Sequence, residues 1–437
     1  MAEAGNTAHP QVTQRQVLTA GFASVVAWSL DLYDLVILLF VASTIAPLFF
    51  ATDQPTLSLA ATYASYAVTL IFRPAGSAIF GNLADRRGRK RAMVIAVLGT
   101  GVVTALMGAV PTVHQIGLLA PVLFLALRMA QGIFVGGVVA STHTLGTETV
   151  PERWRGLMSG SIQGGAALGS VFASLALLVS SRLFPGEAFS AWGWRFMFFS
   201  GLITAVLSLF IYRAVQESPL WAGRARRDTV EEESPLKSVL SGEYRSAFLL
   251  SLVLVAGAGA QGNLIAGFLP AYLDLVNGIP KPEVSRILVV SNLGMIVAAV
   301  LFGHLSEIFG RKKIFILLGV VNLLVIPFTY LRLADLGADS TEAIYLSAFV
   351  LTFLANAALA PVPVFLNERF PTYIRASGTA LIWNIGFAIG GLMPTFVTLA
   401  SPTTADIPSR VVIFVGGAIL VYLIGALLNP ETRGRLI

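Results

Sequence analysis

The stretch Gly81-Asn-Leu-Ala-Asp85-Arg-Arg-Gly88-Arg89-Lys90-Arg91 lies between two long apolar runs of this chain. Its pattern returns in the second half of the chain as Gly303-His-Leu-Ser-Glu307-Ile-Phe-Gly310-Arg311-Lys312-Lys313. In each copy a small residue ends a helix, an acid and then a turn glycine follow, and a basic cluster comes last. The glycine permits a tight reversal, and the cations mark the side of the membrane on which the loop stays. The chain therefore contains two copies of one membrane unit.

The composition independently indicates a membrane protein. Of the 437 residues, 56% are hydrophobic and 12% are charged, and the mean hydropathy is +0.79. Such a chain could not cover a soluble surface with polar groups. A spanning helix needs roughly 20 apolar residues, and we place twelve such runs at 18–46, 58–81, 92–110, 116–146, 157–180, 194–215, 246–274, 284–303, 314–332, 343–366, 378–400 and 409–428. The sequence predicts an all-α integral membrane protein with twelve transmembrane helices.

The longest polar stretch divides the chain into two halves. We predict an N-terminal six-helix bundle at 1–215, a cytoplasmic linker at 216–245 and a C-terminal six-helix bundle at 246–437. A second pair of matched loops supports this division, because Glu148-Thr-Val-Pro151 and Glu368-Arg-Phe-Pro371 each follow the fourth apolar run of their half. In transporters built from such pseudo-symmetric repeats, the substrate site lies near the midplane between the halves.

The distribution of basic residues predicts the orientation. If the N-terminus is cytoplasmic, most of the 29 lysines and arginines fall in cytoplasmic loops. The positive-inside rule then predicts a multi-pass protein of the plasma (inner) membrane with both termini in the cytoplasm. The cations are dispersed over separate short loops, so the expected partner is the lipid bilayer and not a nucleic acid.

Several motifs resemble those of the major facilitator superfamily, and the similarity covers essentially the whole chain. Besides the repeated loop, they are Arg73-Pro74, Arg128-Met-Ala-Gln131-Gly132, Trp192-Gly-Trp194-Arg195-Phe and Glu217-Ser-Pro219. The Arg-Pro pair and the Trp-Gly-Trp-Arg-Phe segment are similar to those of the metabolite:proton symporter group and of related sialate and monocarboxylate carriers. Asp31-Leu-Tyr33-Asp34 also resembles a pattern of aromatic-acid:proton symporters. The resemblance implies the major facilitator fold and transport by alternating access.

Two carboxylates in the first run are the candidate proton-coupling residues. A carboxylate at mid-membrane costs roughly 2.5–3.5 kcal/mol and persists mainly where it is paired or functional. Asp31 and Asp34 are three residues apart and share a helix face. By helical rise, Asp34 and Arg128 lie at similar depths, about 25 Å and about 27 Å from the cytoplasmic end, so we expect them to meet. The pair would either exchange a proton during transport or form a permanent structural ion pair.

Arg128, Arg73 and His143 are the other ionisable groups inside or near the spans. Arg128 is central enough to bind either Asp34 or a substrate carboxylate. Arg73 lies about 12 Å from the cytoplasmic end, where we expect it to snorkel or to hydrogen-bond carbonyls freed by Pro74. His143 is expected to be an interfacial residue, with a proton relay as the alternative.

The polar residues of the second half are neutral, and they are the remaining candidates for substrate binding. An amide in a span can simply hold helices together. In the resembled fold, however, the first, fourth, seventh and tenth helices line the cavity. With the aromatic residue of the first span included, the predicted substrate-binding set is Arg128, Tyr33, Gln261, Asn263, Asn356, Trp383 and Asn384.

The charged residues at the ends of the helices are the candidate gate. We expect Glu148 and Glu368 to form ion pairs with Arg89 and Arg311 that close the cytoplasmic side. Asp85 and Glu307 would pair or cap neighbouring helix ends in the same way.

The sequence thus predicts a proton-coupled symporter that takes up a small organic acid anion, with a monocarboxylate as the expected substrate. The alternatives are proton-antiport efflux of drugs or metabolites and a non-transporting sensor. There is no Walker loop, metal-ligand spacing or nucleophile motif, so no enzymatic activity, cofactor or metal is expected. We expect a monomer.

Overall fold

The computed structural model describes residues 14–87, 89–148, 154–214, 244–337, 339–371 and 374–434, with side chains left undescribed at short stretches that include 81–82, 84–90 and 139–148. These residues form helices and no strands. Nine of the described helices are long and apolar enough to cross a membrane, and a bent pair in the first span makes ten. The shorter apolar helix Val94–Ala109 and a broken sixth span complete the twelve predicted spans.

Six spans make up the first half. The first consists of Gln14–Phe40 and Ala42–Phe49, which are bent by 64°. The second to fifth spans are Pro55–Arg87, Arg89–Ala109, Leu119–Glu148 and Arg155–Leu183. The sixth is built from a π-helical turn at Phe189–Gly193 and two helices, Trp194–Phe199 and Gly201–Ala214.

The second half also contains six spans, and several are interrupted. The seventh runs through Arg245–Gly262, a π-helical turn at Asn263–Gly267 and Leu269–Leu275. The eighth and ninth are Lys281–Phe309 and Arg311–Ala334. The tenth is divided into Thr341–Leu359 and Val362–Arg369, and the eleventh into Arg375–Gly391 and Met393–Leu399. The twelfth is Ile407–Leu428.

Glycines allow the two halves to pack closely. The fifth span packs along the eighth, and the second packs against the eleventh. A Cβ atom on Gly160 would lie 2.4 Å from the Ala299 carbonyl oxygen, and one on Gly303 would lie 2.7 Å from the Gly160 Cα atom. Because such a Cβ atom would clash, the two helix backbones can pack this closely only where a glycine leaves no side chain between them. The fifth and eighth spans therefore form a tight contact at one end of the molecule.

Close packing also brings the second and fourth spans together inside the first half. A Cβ atom on Gly136 would lie 2.1 Å from the Arg73 carbonyl oxygen, and one on Gly132 would lie 2.2 Å from that of Thr69. The Thr69 hydroxyl also donates to the Arg128 carbonyl oxygen at 3.1 Å. This contact fixes the helices that carry Arg73 and Arg128.

The Arg311 face is the end of the bundle that carries Arg311 and the start of the first span, and it is the predicted cytoplasmic side. The Lys281 face is the opposite end. The predicted linker at 216–245 lies almost wholly outside the described residues, so the division of the chain into domains stays a prediction.

Candidate functional site

The buried charges of the first half lie on neighbouring spans. Asp31 and Asp34 are each 1% exposed, Arg73 is 2% exposed, and Arg128 is fully buried. Burying an ion costs free energy unless it is paired and hydrogen-bonded. The contacts of these four side chains therefore indicate what the site can bind.

Asp31 pairs with Arg73 across the first and second spans. Arg73 Nη2 lies 3.6 Å from Asp31 Oδ2, a separation that permits an ion pair but exceeds a hydrogen bond. Neither Asp31 oxygen has a hydrogen-bond partner among the described residues. The expectation that Arg73 snorkels to the interface is wrong, because close packing of the second and fourth spans keeps its side chain inside the bundle.

Asp34 is held by the sixth span. The Thr204 hydroxyl donates to Asp34 Oδ2 at 2.6 Å, whereas Oδ1 has no hydrogen-bond partner in the described part of the chain. Tyr33, on the same helix, shares a short hydrogen bond with the Ser200 hydroxyl. The sixth span thus contacts Asp34 of the predicted proton site and Tyr33 of the predicted substrate-binding set, although no charge or motif in it had indicated this.

Arg128 does not pair with Asp34, contrary to the prediction. Its Nη1 donates to Gln131 Oε1 at 2.7 Å, and Gln131 Nε2 donates in turn to the Asp34 carbonyl oxygen at 3.2 Å and to Thr104 Oγ1 at 2.9 Å. The depths along the helices were compatible with a direct pair, but Gln131, one turn from Arg128, occupies the position between them. The arginine therefore contacts the backbone of Asp34 only through an amide.

Within the described part of the chain, the Arg128 guanidinium is only partly hydrogen-bonded. Its Nε and Nη2 atoms have no hydrogen-bond partner among the described residues. Its other neighbours are aromatic, with the ring centroids of Phe124 and Phe198 at 5.4 Å and 5.8 Å from Cζ. Aromatic faces stabilise a cation but accept no conventional hydrogen bond. Arg128 is therefore a buried cation with free donors, which suits a carboxylate ligand.

The predicted amides of the second half already have protein partners. Asn263 donates to the Gly259 carbonyl at 2.8 Å, and Asn356 donates to that of Met295 at 2.7 Å. These bonds join or brace helices, as the alternative interpretation of the amides had it. A substrate role for these two residues stays a prediction.

Two other amides keep one group free. Gln261 Oε1 accepts from Asn322 at 3.0 Å, and Asn384 Nδ2 donates to Ser77 across the halves at 3.2 Å. Gln261 Nε2 and Asn384 Oδ1 have no hydrogen-bond partner among the described residues. These groups remain candidates to bind a polar substituent of a substrate.

Trp383 lies at the junction of the halves. Its ring centroid is 6.2 Å from that of Trp28 on the first span, in an edge-to-face arrangement, and 4.5 Å from that of Phe387. Trp28 precedes Asp31 by three residues and therefore shares its helix face. The contact between Trp28 and Trp383 thus joins the eleventh span to the helix that carries the predicted proton site.

Three predicted gate residues come together on the Arg311 face. Arg311 Nη2 donates to Glu307 Oε2 at 2.8 Å and to Glu368 Oε1 at 2.9 Å, and Nε donates to Glu368 Oε2 at 3.2 Å. Glu307 Oε2 also accepts from the backbone N–H of Gly156, at 2.9 Å, in the first turn of the fifth span. This bond joins the two halves. The side chains of Asp85, Arg89, Glu148 and His143 lie outside the described ones.

The segment after the twelfth span extends this cluster, which the sequence had not indicated. Glu431 accepts from the backbone N–H groups of Arg311 at 2.9 Å and Lys312 at 3.1 Å, and Thr432 donates to Glu368 at 2.7 Å. An acid at the N-terminus of the ninth span is favoured by the exposed N–H groups there. Glu431 follows closely after the last apolar run, and this position was the sequence feature that could have indicated its place in the cluster.

Polar groups also join the halves on the Lys281 face. The Ser43 hydroxyl, at the start of the bent outer helix of the first span, donates to Asp274 Oδ2 at 2.5 Å. Lys281 Nζ lies 2.7 Å from the same oxygen and 5.6 Å from the ring centroid of Phe189. Contacts between the halves therefore exist toward both ends of the molecule.

Comparison with known proteins gives consistent matches. The family model described as sugar (and other) transporter matches residues 22–243 and 224–437. The inner membrane metabolite transport protein YhjE of Escherichia coli (strain K12) is 28% identical over 417 residues, which cover 94% of this chain and 93% of that protein. The glycine betaine/proline/ectoine/pipecolic acid transporter OusA of Dickeya dadantii (strain 3937) is 28% identical over 389 residues, which cover 87% and 76%.

A solved structure has the same fold. The xylose transporter XylE from E. coli, in a partially occluded inward open conformation, matches with a TM-score of 0.71 and 19% sequence identity over 96% of this chain and 99% of that chain.

Proposed function

This chain belongs to the sugar (and other) transporter family, and from that premise we propose that it is a proton-coupled symporter of a small solute that carries a carboxylate group. The predictions of a major facilitator fold, of a transporter of the metabolite:proton symporter type and of a protein that is not an enzyme are confirmed. The chain is a multi-pass membrane protein of the bacterial inner-membrane type. The orientation of its termini and its monomeric state stay predictions.

The observation that carries the proposal is the unequal pairing of the buried charges. Asp31 and Arg73 compensate each other, whereas Asp34 and Arg128 have no direct ionic partner among the described residues. With Asp34 ionised, the four groups sum to zero. Once Asp34 binds a proton, the site has one uncompensated positive charge at Arg128. Proton binding thus favours binding of a carboxylate, which is the positive coupling that symport requires.

The relatives guide the choice of solute class. OusA is named for glycine betaine, proline, ectoine and pipecolic acid, which are zwitterions with a carboxylate. We therefore replace the expected monocarboxylate with a zwitterion of this kind. Its carboxylate would bind Arg128, and its cationic group would lie against the faces of Trp28 and Trp383 or near Asp31. A neutral sugar would leave Arg128 uncompensated.

Alternating access would use the contacts at both ends of the molecule. On the Arg311 face, Glu307 bonds to Gly156, and the Ser159 hydroxyl donates to the Ala360 carbonyl at 3.2 Å and accepts from the Val364 N–H at 3.2 Å. Pro361 interrupts the tenth span there, so Ser159 binds backbone groups that the break leaves free. We infer that one set of contacts opens while the other holds.

The proposal is tested by measuring binding at several pH values between about 5 and 8. The probes are glycine betaine, L-proline, lactate, xylose and the lipophilic cation tetraphenylphosphonium. We expect a carboxylate compound to bind more tightly as the pH falls, and Arg128→Gln to remove this binding. Arg286→Gln is the matched control, because it removes the same charge from an exposed residue whose ionic partner among the described residues is Glu283.

The acid is tested in proteoliposomes. Asp34→Asn should still exchange a preloaded carboxylate probe but should not accumulate it, because the amide mimics the protonated acid and cannot release a proton. Accumulation at the wild-type level would remove Asp34 from the mechanism. Binding of tetraphenylphosphonium in the absence of carboxylate binding would favour the efflux alternative instead.

A further inference from the structure

The sixth span is interrupted at the point where it meets the predicted proton site. Helix Trp194–Phe199 ends one residue before Ser200, and helix Gly201–Ala214 begins one residue after it. Ser200 shares a hydrogen bond with the Tyr33 hydroxyl, and Thr204, in the first turn of the second helix, donates one to Asp34. The polar contacts between the first and sixth spans are thus concentrated around this interruption.

Thr204 has two acceptors within reach of one hydroxyl proton. Its Oγ1 lies 2.6 Å from Asp34 Oδ2 and 2.7 Å from the carbonyl oxygen of Gly201. A hydroxyl group has one proton to donate and two lone pairs that accept. An ionised carboxylate is the stronger acceptor, because a hydrogen bond to a charged group is stronger than one between neutral groups. With Asp34 ionised, the Thr204 proton therefore binds the carboxylate.

Protonation of Asp34 reverses this bond. The proton that arrives on Asp34 Oδ2 makes a carboxylic acid, which donates to Thr204 Oγ1. The Thr204 hydroxyl then donates its own proton to the Gly201 carbonyl oxygen. One proton is gained by the site, no other group is ionised, and every donor retains an acceptor.

We propose that Thr204 is the positioning residue that sets the proton affinity of Asp34 and transmits its protonation to the interruption in the sixth span. The proposal rests on the proposed function, in which Asp34 binds the transported proton. Thr204 lies on a different span from Asp34 and has no charge. Its hydroxyl forms different hydrogen bonds with the ionised and the protonated acid. Thr204 is 2% exposed, so water does not readily replace its hydroxyl.

Among the side chains around Asp34, Thr204 is the one whose substitution should change the proton affinity of Asp34 most directly. The titratable or charged groups on the same helix are Asp31 and Tyr33, the second span contributes Arg73 and Tyr66, and the fourth contributes Arg128. The described residues of the third and sixth spans that face Asp34 contribute only hydroxyl groups and the backbone at Gly201. Among these neighbours, Thr204 alone donates to the carboxylate side chain.

Infrared spectroscopy can test the proposal without a substrate. The carbonyl stretch of the protonated Asp34 side chain is identified as the band that is lost in Asp34→Asn, and it is titrated with pH in each variant. In Thr204→Val the ionised carboxylate loses its donor, so we expect the midpoint to move to higher pH. The expected shift is about one pH unit, which corresponds to ~1.4 kcal/mol of differential interaction. The band itself should also move to higher frequency, because the acid loses its acceptor.

Two further variants control for structural effects. Thr204→Ser keeps the hydroxyl and should titrate like the wild type. Thr100→Val makes the same chemical change at a buried threonine that donates only to the Ala96 carbonyl oxygen of its own helix, and it should leave the midpoint unchanged. An unshifted midpoint in Thr204→Val, or an equal shift in Thr100→Val, would overturn the role of Thr204.

The outcomes separate this inference from the proposed function. If no band depends on Asp34 at any pH, the acid does not titrate and both proposals fail. If the band titrates and Asp34→Asn abolishes accumulation but Thr204→Val titrates like the wild type, only the inference about Thr204 fails.

Discussion

Removing the Glu307 side chain should open the Arg311 face. Glu307 accepts the Gly156 N–H at 2.9 Å, in the first turn of the fifth span, and this bond joins the two halves. A hydrogen bond to a charged group contributes about 1.5–3 kcal/mol, and the helix N-terminus adds about 0.3–1 kcal/mol. Arg311 keeps both bonds to Glu368, so its charge stays compensated. The two contributions together come to about 2–4 kcal/mol, and their loss should therefore act mainly on the contact between the halves.

Such a change is large enough to measure by cysteine labelling. At about 1.4 kcal/mol per factor of ten, the equilibrium on this face should shift roughly 30- to 700-fold toward the open form. The chain has no cysteine, so Ala299→Cys, in the contact of the fifth and eighth spans, provides a single reporter. Its labelling rate in membrane vesicles should rise in Glu307→Ala. Glu307→Gln keeps a neutral acceptor for Gly156 and should give an intermediate rate.

Glu431→Ala is the matched control for Glu307→Ala. It removes a carboxylate from the same cluster, but within the described part of the chain Glu431 accepts hydrogen bonds only from backbone N–H groups of the second half. It should lower thermal stability without raising the labelling rate of the cysteine at position 299. Equal labelling in Glu307→Ala and the parent would refute the proposed gate and leave these residues a structural role.

Three further changes have defined outcomes. Asp31→Asn leaves Arg73 buried without its partner, so we expect a loss of roughly 3–5 kcal/mol in the free energy of unfolding, which Arg73→Gln in the same chain should partly restore in thermal unfolding. Gly160→Val should increase labelling on the Arg311 face, because a Cβ atom would lie 2.4 Å from the Ala299 carbonyl oxygen; unchanged labelling would contradict the packing. Lys281→Met removes the contacts of Nζ with the Phe189 ring at 5.6 Å and the Ser43 hydroxyl at 3.5 Å, both in the first half, and should raise labelling of a cysteine at the Lys281 face; unchanged labelling would contradict a role in closure.

The sequence allowed us to predict how deep the charged residues lie along their helices, but not the direction in which each side chain points around the helix axis. The spacing of Asp31 and Asp34 predicted a shared face, but their partners lie on different spans, Arg73 on the second and Thr204 on the sixth. The predicted depth of Arg128 was compatible with contact to Asp34. Rotation about the helix axis decides which side chains meet, and it is fixed by packing between helices that no single sequence displays. Gln131 consequently took the position expected for the carboxylate.

The repeated loop was more informative about the gate. Glu307 and Arg311 are four residues apart around a turn, so local geometry is enough to pair them. Their contacts with Glu431 and Gly156 depend on chain segments far away in sequence. The bend of 64° in the first span and the interruption at Ser200 were also missed, because neither occurs at a proline inside the apolar run.

Proton uptake on binding measures directly whether a proton and a carboxylate bind together. Purified protein in weak buffer with a pH indicator is mixed with glycine betaine, L-proline or lactate, above the midpoint of Asp34 titration. We expect uptake of close to one proton per bound carboxylate molecule in the wild type and none in Asp34→Asn. Saturating binding without proton uptake, at every pH between about 5 and 8, would contradict it.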